Sequence, residues 1–224
     1  MKLVLFDLDG TILLSGGAGA RAVCRACKKI YGIENAMDGI KPDGKTDIAI
    51  LREIFKAMEK DFLPDKMDGL FREYLVFLEE EIAGSLDYRL MPGIVELIEA
   101  LSKRGDVVLG IATGNIKEAA SIKLRRSGLG HYFRFGGFGS DFEDREEIIR
   151  IAIERGKGFL NKENGFDGIF VIGDTPLDII AARAVGAKAV AVATGSYSVR
   201  DLKEYNPDYL FENFSDLESV LKIF

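Results

Sequence analysis

Apolar strand-like runs punctuate this chain, and segments with helical spacing separate them. KLVLF at residues 2–6, DVVLGIATGN, GIFVIGDTP and KAVAVATG are the strongest of these runs, with a weak glycine-rich one in FRFGGFG and a short one in DYLFEN. Strands without polar alternation need cover on both faces, which parallel sheets obtain from the helices that connect their strands. The intervening segments supply such helices: GIVELIEALSKRG, IKEAASIKLRRSGL, EEIIRIAIERG, LDIIAARAVGA, a helical turn near Val199–Glu204, and the closing SDLESVLKIF. Pro92 and Gly93 open the first of these and Gly105 follows its end, as helix boundaries favour. The alternation predicts an α/β fold built on a doubly wound parallel sheet.

One block breaks the rhythm. Residues 15–85 carry helical periodicity at 18–30, at 46–60 (Ile48, Leu51, Ile54, Phe55, Met58) and in MDGLFREYLVFLEEEIAGSL, with no convincing strand. The expected organisation is therefore discontinuous: an α/β core of residues 1–14 and 86–224, and an all-helical insertion of residues 15–85.

Charge and composition narrow the function classes. A net charge of −6 argues against a general nucleic-acid binder, although a local basic pocket for a small anion remains compatible with it. No apolar run approaches the roughly 20 residues that span a bilayer. Asp7 and Asp9 interrupt the stretch where a secretory signal would need its apolar region, so a cytoplasmic protein with no membrane partner is expected. Cys24 and Cys27 form a C-x-x-C in an apolar helical context. A zinc site needs about four ligands, and the single histidine, His131, is distant, so the pair reads as packing residues and His131 as a loop or packing residue.

Three strands end in polar residues of one chemical style, at the side of an open α/β sheet where ligands bind. The endings are Asp7-Leu8-Asp9-Gly10-Thr11, Ala112-Thr113-Gly114-Asn115 and Gly173-Asp174-Thr175-Pro176-Leu177-Asp178. A buried strand has no structural use for two carboxylates at its end. Four aspartates in one pocket, facing a doubly charged phosphoryl group, would repel by several kcal/mol per pair at an effective dielectric near 20. Such a pocket needs a cation, and a few hard oxygen ligands suit Mg²⁺, which bridges to substrate phosphate. Thr113 is suited to bind a phosphate oxygen, with the backbone amides of Gly114 and Asn115 near a helix start.

In order and spacing these motifs resemble those of the haloacid dehalogenase superfamily, and within it the phosphoglycolate phosphatase-like enzymes, which have a Rossmann-like core and a helical cap inserted after the first strand. The resemblance spans essentially the whole chain. It implies that Asp7 is the nucleophile, forming an aspartyl-phosphate, and that Asp9 acts first as general acid and then as base. It implies Asp7, the Asp9 backbone carbonyl and Asp174 as metal ligands, with Asp178 orienting the metal site, and Gly10 among the substrate-binding positions. Asp178 also suits the first turn of a helix on charge alone. The family expects a lysine or arginine between the second and third motifs. No lysine stands in GSDFEDREEI, and Arg145, 32 residues after Thr113 at a helix start, is the expected cation. Lys123, in mid-helix, and Lys157 are the alternatives. In the insertion, Thr46 or Asp47 suits a helix N-cap, and Lys45 suits either a substrate carboxylate or a solvated turn.

Hydrolysis of a small phosphorylated metabolite, by a monomer or homodimer, is the function these features favour. A phosphomutase of the β-phosphoglucomutase kind shares the motifs, and a non-enzymatic sensor on the same fold is the alternative from another class. A dehalogenase is disfavoured by the presence of Asp9.

Overall fold

Strand β1 (Lys2–Phe6) shows why the sheet is parallel and doubly covered: all but its first residue are buried, and they point alternately into two different cores. The computed structural model describes residues 1–59, 67–160 and 165–224. After β1 come β2 (Leu13–Leu14), helices α1 (Ala18–Tyr31), α2 (Asp47–Ala57) and α3 (Asp68–Gly84), then β3 (Arg89–Leu90) and α4 (Ile94–Ser102). The chain continues with β4 (Val107–Thr113), α5 (Lys117–Ser127), β5 (Gly136–Phe138), α6 (Arg145–Lys157), β6 (Gly168–Gly173) and α7 (Pro176–Ala184). It ends with β7 (Lys188–Val192), α8 (Val199–Lys203), β8 (Tyr209–Phe211) and α9 (Leu217–Leu221).

Six of these strands form one parallel sheet in the order β5-β4-β1-β6-β7-β8. Leu3 pairs with Val108 on one side and Ile169 on the other, so β1 lies inside the sheet with no free edge. The chain runs outward from β1 in both directions. That change of direction opens a crevice at the carboxyl end of β1, the place where doubly wound sheets bind ligands.

Val4 and Phe6 pack into one core with Ile94, Leu97 and Ile111. Leu3 and Leu5 pack into the opposite core with Ile149, Val171 and Ile179. Phe6 meets Phe133 edge to face at 5.8 Å between ring centroids. The helices α1, α2 and α3 bury a third apolar cluster of their own, from Ala18 to Ile82, joined by Ile116 just before α5 and by Ala119 and Ile122 within it. Cys27 is buried in that cluster, where burial pushes its thiol up to about 11, and Cys24 beside it is likewise unbridged.

The expected strands and helices recur in the structure. The antiparallel pair β2–β3, which joins Leu13 to Leu90 and Leu14 to Arg89 at the foot of the helical segment, was not expected. Two residues per strand leave no periodicity to read. Helix α2 ends at Ala57, and position 60 of the expected 46–60 helix lies outside the described residues.

Candidate active site

The chain turns sharply after Leu8. The amides of Ile12 and Leu13 both donate to the Leu8 carbonyl, at 2.9 and 3.1 Å, while the Asp7 amide still donates to Ile172 of β6 at 2.9 Å. Asp7 thus stays anchored in the sheet and Asp9 begins a loop. Both line a cavity of about 390 Å³ between the strand ends and the helical segment, together with Gly10, Lys45, Thr113, Gly114, Asn115, Lys123, Arg145 and Asp174.

Asp7, Asp174 and Asp178 come together on one side. Each offers a carboxylate oxygen within 4.8 Å of the others, and all three are buried. Thr11 Oγ1 donates to Asp174 at 3.1 Å. Gly10 has φ +82°, and a Cβ there would collide with the Asp174 carboxylate, so glycine is required on both counts. Arg145 Nη2 stands 3.6 Å from Asp7 Oδ1 and donates directly to Asp178. Its Nε is buried with no hydrogen-bond partner among the described residues, so the guanidinium keeps one donor to give.

Burial pushes the Asp7 carboxyl up to about 7; Arg145 opposes that shift, and Asp178 and Asp9 add to it. Asp174 is pushed well up by burial and by the charges of Asp178 and Asp7. The Arg145 guanidinium is held above its ordinary range: burial works against its charge, and Asp178 and Asp7 outweigh it. Three hard oxygen donors, crowded and desolvated, make a donor set that suits a divalent cation such as Mg²⁺. Asp178 also serves the fold, since it accepts from Thr175 N at 3.0 Å and Thr175 Oγ1 at 2.7 Å in the capping box of α7. The two readings of Asp178 therefore coexist.

A second network surrounds Asp9. Lys123 Nζ donates to Asp9 Oδ2 at 2.6 Å and to Asn115 Oδ1 at 2.6 Å. Asn115 Nδ2 donates to Asp9 Oδ2 at 2.8 Å and to Thr113 Oγ1 at 2.9 Å. With its carboxylate so engaged, Asp9 stands apart from the three-carboxylate cluster, which leaves its backbone carbonyl as the group to which the resemblance assigns metal binding.

Arg145, the expected cation, stands beside Asp7 and Asp178, and one of its two alternatives shares the site with it. Lys123 is also in the site, buried to 5% exposure, because α5 starts at the end of β4 and two turns bring position 123 back over Asn115. Its signal in the sequence was a lysine on the buried side of a helix, among Ala119, Ala120, Ile122 and Leu124. Lys157 lies outside the site and pairs with Glu154. Lys45 lines the cavity with its ammonium held by Glu53 at 2.6 Å. Thr46 is the N-cap of α2, accepting from Ala49 N at 3.1 Å, which leaves the Asp47 carboxylate free for another partner. His131 is exposed, with Nδ1 2.8 Å from the Gly128 carbonyl, far from this chemistry.

Residues 4–192 match the family described as haloacid dehalogenase-like hydrolase. The phosphoglycolate phosphatase of Synechococcus elongatus is 30% identical over 224 residues, covering 97% of this chain and 95% of that one. The pyrophosphatase PpaX of Bacillus velezensis is 25% identical, covering 96% of this chain and 93% of its own. A crystal structure titled as a predicted phosphatase from Clostridium acetobutylicum superposes with a TM-score of 0.74 at 20% identity, covering 100% of this chain and 99% of the other, and shares the fold.

Proposed function

We propose that this chain, which belongs to the haloacid dehalogenase-like hydrolases, hydrolyses a small phosphomonoester in the cytoplasm through an aspartyl-phosphate on Asp7. The reading is carried by one observation: two aspartates two residues apart at the end of the central strand have separate partners, Asp7 near Arg145 and Asp9 on Lys123 and Asn115. Two carboxyl groups can take different roles when their surroundings differ.

In the first half-reaction an Asp7 oxygen attacks phosphorus, the bond from phosphorus to the leaving oxygen breaks, and Asp9 gives its proton to that oxygen. In the second, Asp9 takes a proton from water as the water oxygen attacks phosphorus. Phosphate leaves and the Asp7 carboxylate is restored. Lys123 and Asn115 hold the Asp9 side chain in place through both steps. Thr113 Oγ1 and the Gly114 amide bind phosphoryl oxygens, and Arg145 and Lys123 offset their charge. Asp7, the Asp9 carbonyl, Asp174 and Asp178 form the site for Mg²⁺, whose chemistry when bound is to offset the negative charge shared by the carboxylates and the phosphoryl group.

The helices of residues 15–85 act as a cap that closes this site. The cavity volume, and relatives named for phosphoglycolate and pyrophosphate, support a small substrate. A panel of phosphomonoesters assayed with Mg²⁺, and again after chelation, tests the proposal. Turnover of at least one compound that is lost on chelation and restored by Mg²⁺ is expected. Full activity in the chelated protein would overturn it.

A further inference from the structure

We propose that Asp47, contributed by the helical segment, is a positioning residue that fastens this segment onto the phosphate-binding loop and holds the start of α5 in place. The proposal rests on the phosphatase reading for its consequence in turnover. Asp47 Oδ2 accepts the Ile116 amide at 2.8 Å, and the Asp47 amide donates to the Gly114 carbonyl at 2.9 Å. One residue of the insertion thus grips both sides of Asn115. The two backbones approach so closely that a Cβ on Gly114 would collide with the Lys45 carbonyl and lie 3.0 Å from Thr46 Cα.

Ile116 is the N-cap residue of α5, and its own side chain supplies no acceptor. The next amide, Lys117, is satisfied within the core by Ser140 Oγ at 3.1 Å. The carboxylate at this helix start therefore comes from a different part of the chain, at the end where negative charge is favoured. Thr46 caps α2 in its place, so the Asp47 carboxylate is not needed as the N-cap of its own helix. Other bridges, Arg52 to Glu143 and Ser196 to Asp43, join the same segment to the core away from this loop. Asp47 alone among these reaches the loop whose Asn115 ties Thr113, Asp9 and Lys123 together. If the segment lifts, the Ile116 amide loses its acceptor and the frame of the catalytic acid loosens.

Hydrogen exchange of the Ile116 amide, read beside steady-state kinetics, tests this. Asp47→Ala removes the acceptor, Asp47→Ser keeps a polar group too short to reach, and Asp47→Asn retains an oxygen acceptor. In Asp47→Ala and Asp47→Ser, Ile116 exchange should rise about tenfold with the β1 and β6 amides unchanged. The kcat/KM should fall by a similar factor with KM raised, and Asp47→Asn should recover most of both. Unchanged Ile116 exchange in either shortened variant would overturn the proposal, as would faster exchange with unaltered kinetics. If no phosphomonoester is turned over by the unaltered protein, the phosphatase reading fails, and Ile116 exchange still decides whether Asp47 holds the loop.

Discussion

Asp7 and Asp9 leave the same strand two residues apart and enter different environments. The Asp7 side chain is 7% exposed, crowded by Asp174 and Asp178, and faces one guanidinium; the Asp9 side chain is 38% exposed and is held by an ammonium and an amide. The first arrangement makes negative charge costly until a cation relieves it. The second fixes a carboxyl group in position while leaving it open to a substrate and to water. The roles proposed for them, nucleophile for Asp7 and proton transfer for Asp9, need these two settings. The turn after Leu8 provides both within one short loop.

The largest break in this comparison is Asp7→Asn. On the proposed route the loss of this carboxylate should lower kcat by on the order of 10⁴-fold or more, with thermal unfolding showing the fold retained; near-normal turnover would remove the distinction between the two carboxylates. Lys123→Ala comes next, because it removes a contact that holds the Asp9 side chain in place. We expect a loss on the order of 10³-fold with an alkyl phosphate and a much smaller one with an aryl phosphate, whose leaving group needs little protonation. Equal losses with both esters would mean that Lys123 acts on the phosphoryl charge alone and not through Asp9.

Arg145→Ala should cost on the order of 10² in kcat/KM, the worth of a charge-assisted contact of about 3 kcal/mol. That loss should be the same for aryl and alkyl esters, since Arg145 belongs to the Asp7 side, and Arg145→Lys should recover part of it. The smallest effect is on stability. In metal-free protein burial pushes the Asp7 carboxyl up from its ordinary 3.8 to about 7, so ionising it in the fold is unfavourable. Stability should therefore fall as pH rises from about 4 to about 7, by on the order of a few kcal/mol. Thermal melts of metal-free protein should show a lower Tm at pH 8 than at pH 5. Asp7→Asn should flatten that slope, with Asp174 and Asp47, whose carboxyls burial also pushes up, supplying what remains; an unchanged slope would mean that Asp7 is not the strained group.

Much of this was legible in the sequence, for identifiable reasons. Strands such as KLVLF have apolar side chains on both faces, so a doubly covered sheet follows from local pattern alone. Asp7, Asp9, Thr113 and Asp174 sit at strand ends, and a parallel sheet gathers its strand ends at one side. Lys123 was harder to read because its place depends on how α5 rotates against the sheet, which only packing decides. Asp47 had no local signal, because it shares the start of α2 with Thr46 and either residue suits that cap. Its partner lies 69 residues away, at Ile116. The β2–β3 pair was invisible because two residues carry no period.

The proposed route requires Asp7 to carry the phosphoryl group. Asp9→Asn keeps the nucleophile and slows the water step, so this variant, mixed with an aryl phosphate and Mg²⁺ and quenched in acid, should accumulate one phosphoryl group per chain. Mass analysis of its peptides should place that group on Asp7, and the Asp7→Asn, Asp9→Asn double variant should show none. Release of aryl alcohol at or above one equivalent per chain, with no phosphoryl group on any peptide, would contradict the covalent route and with it the division of labour between the two aspartates.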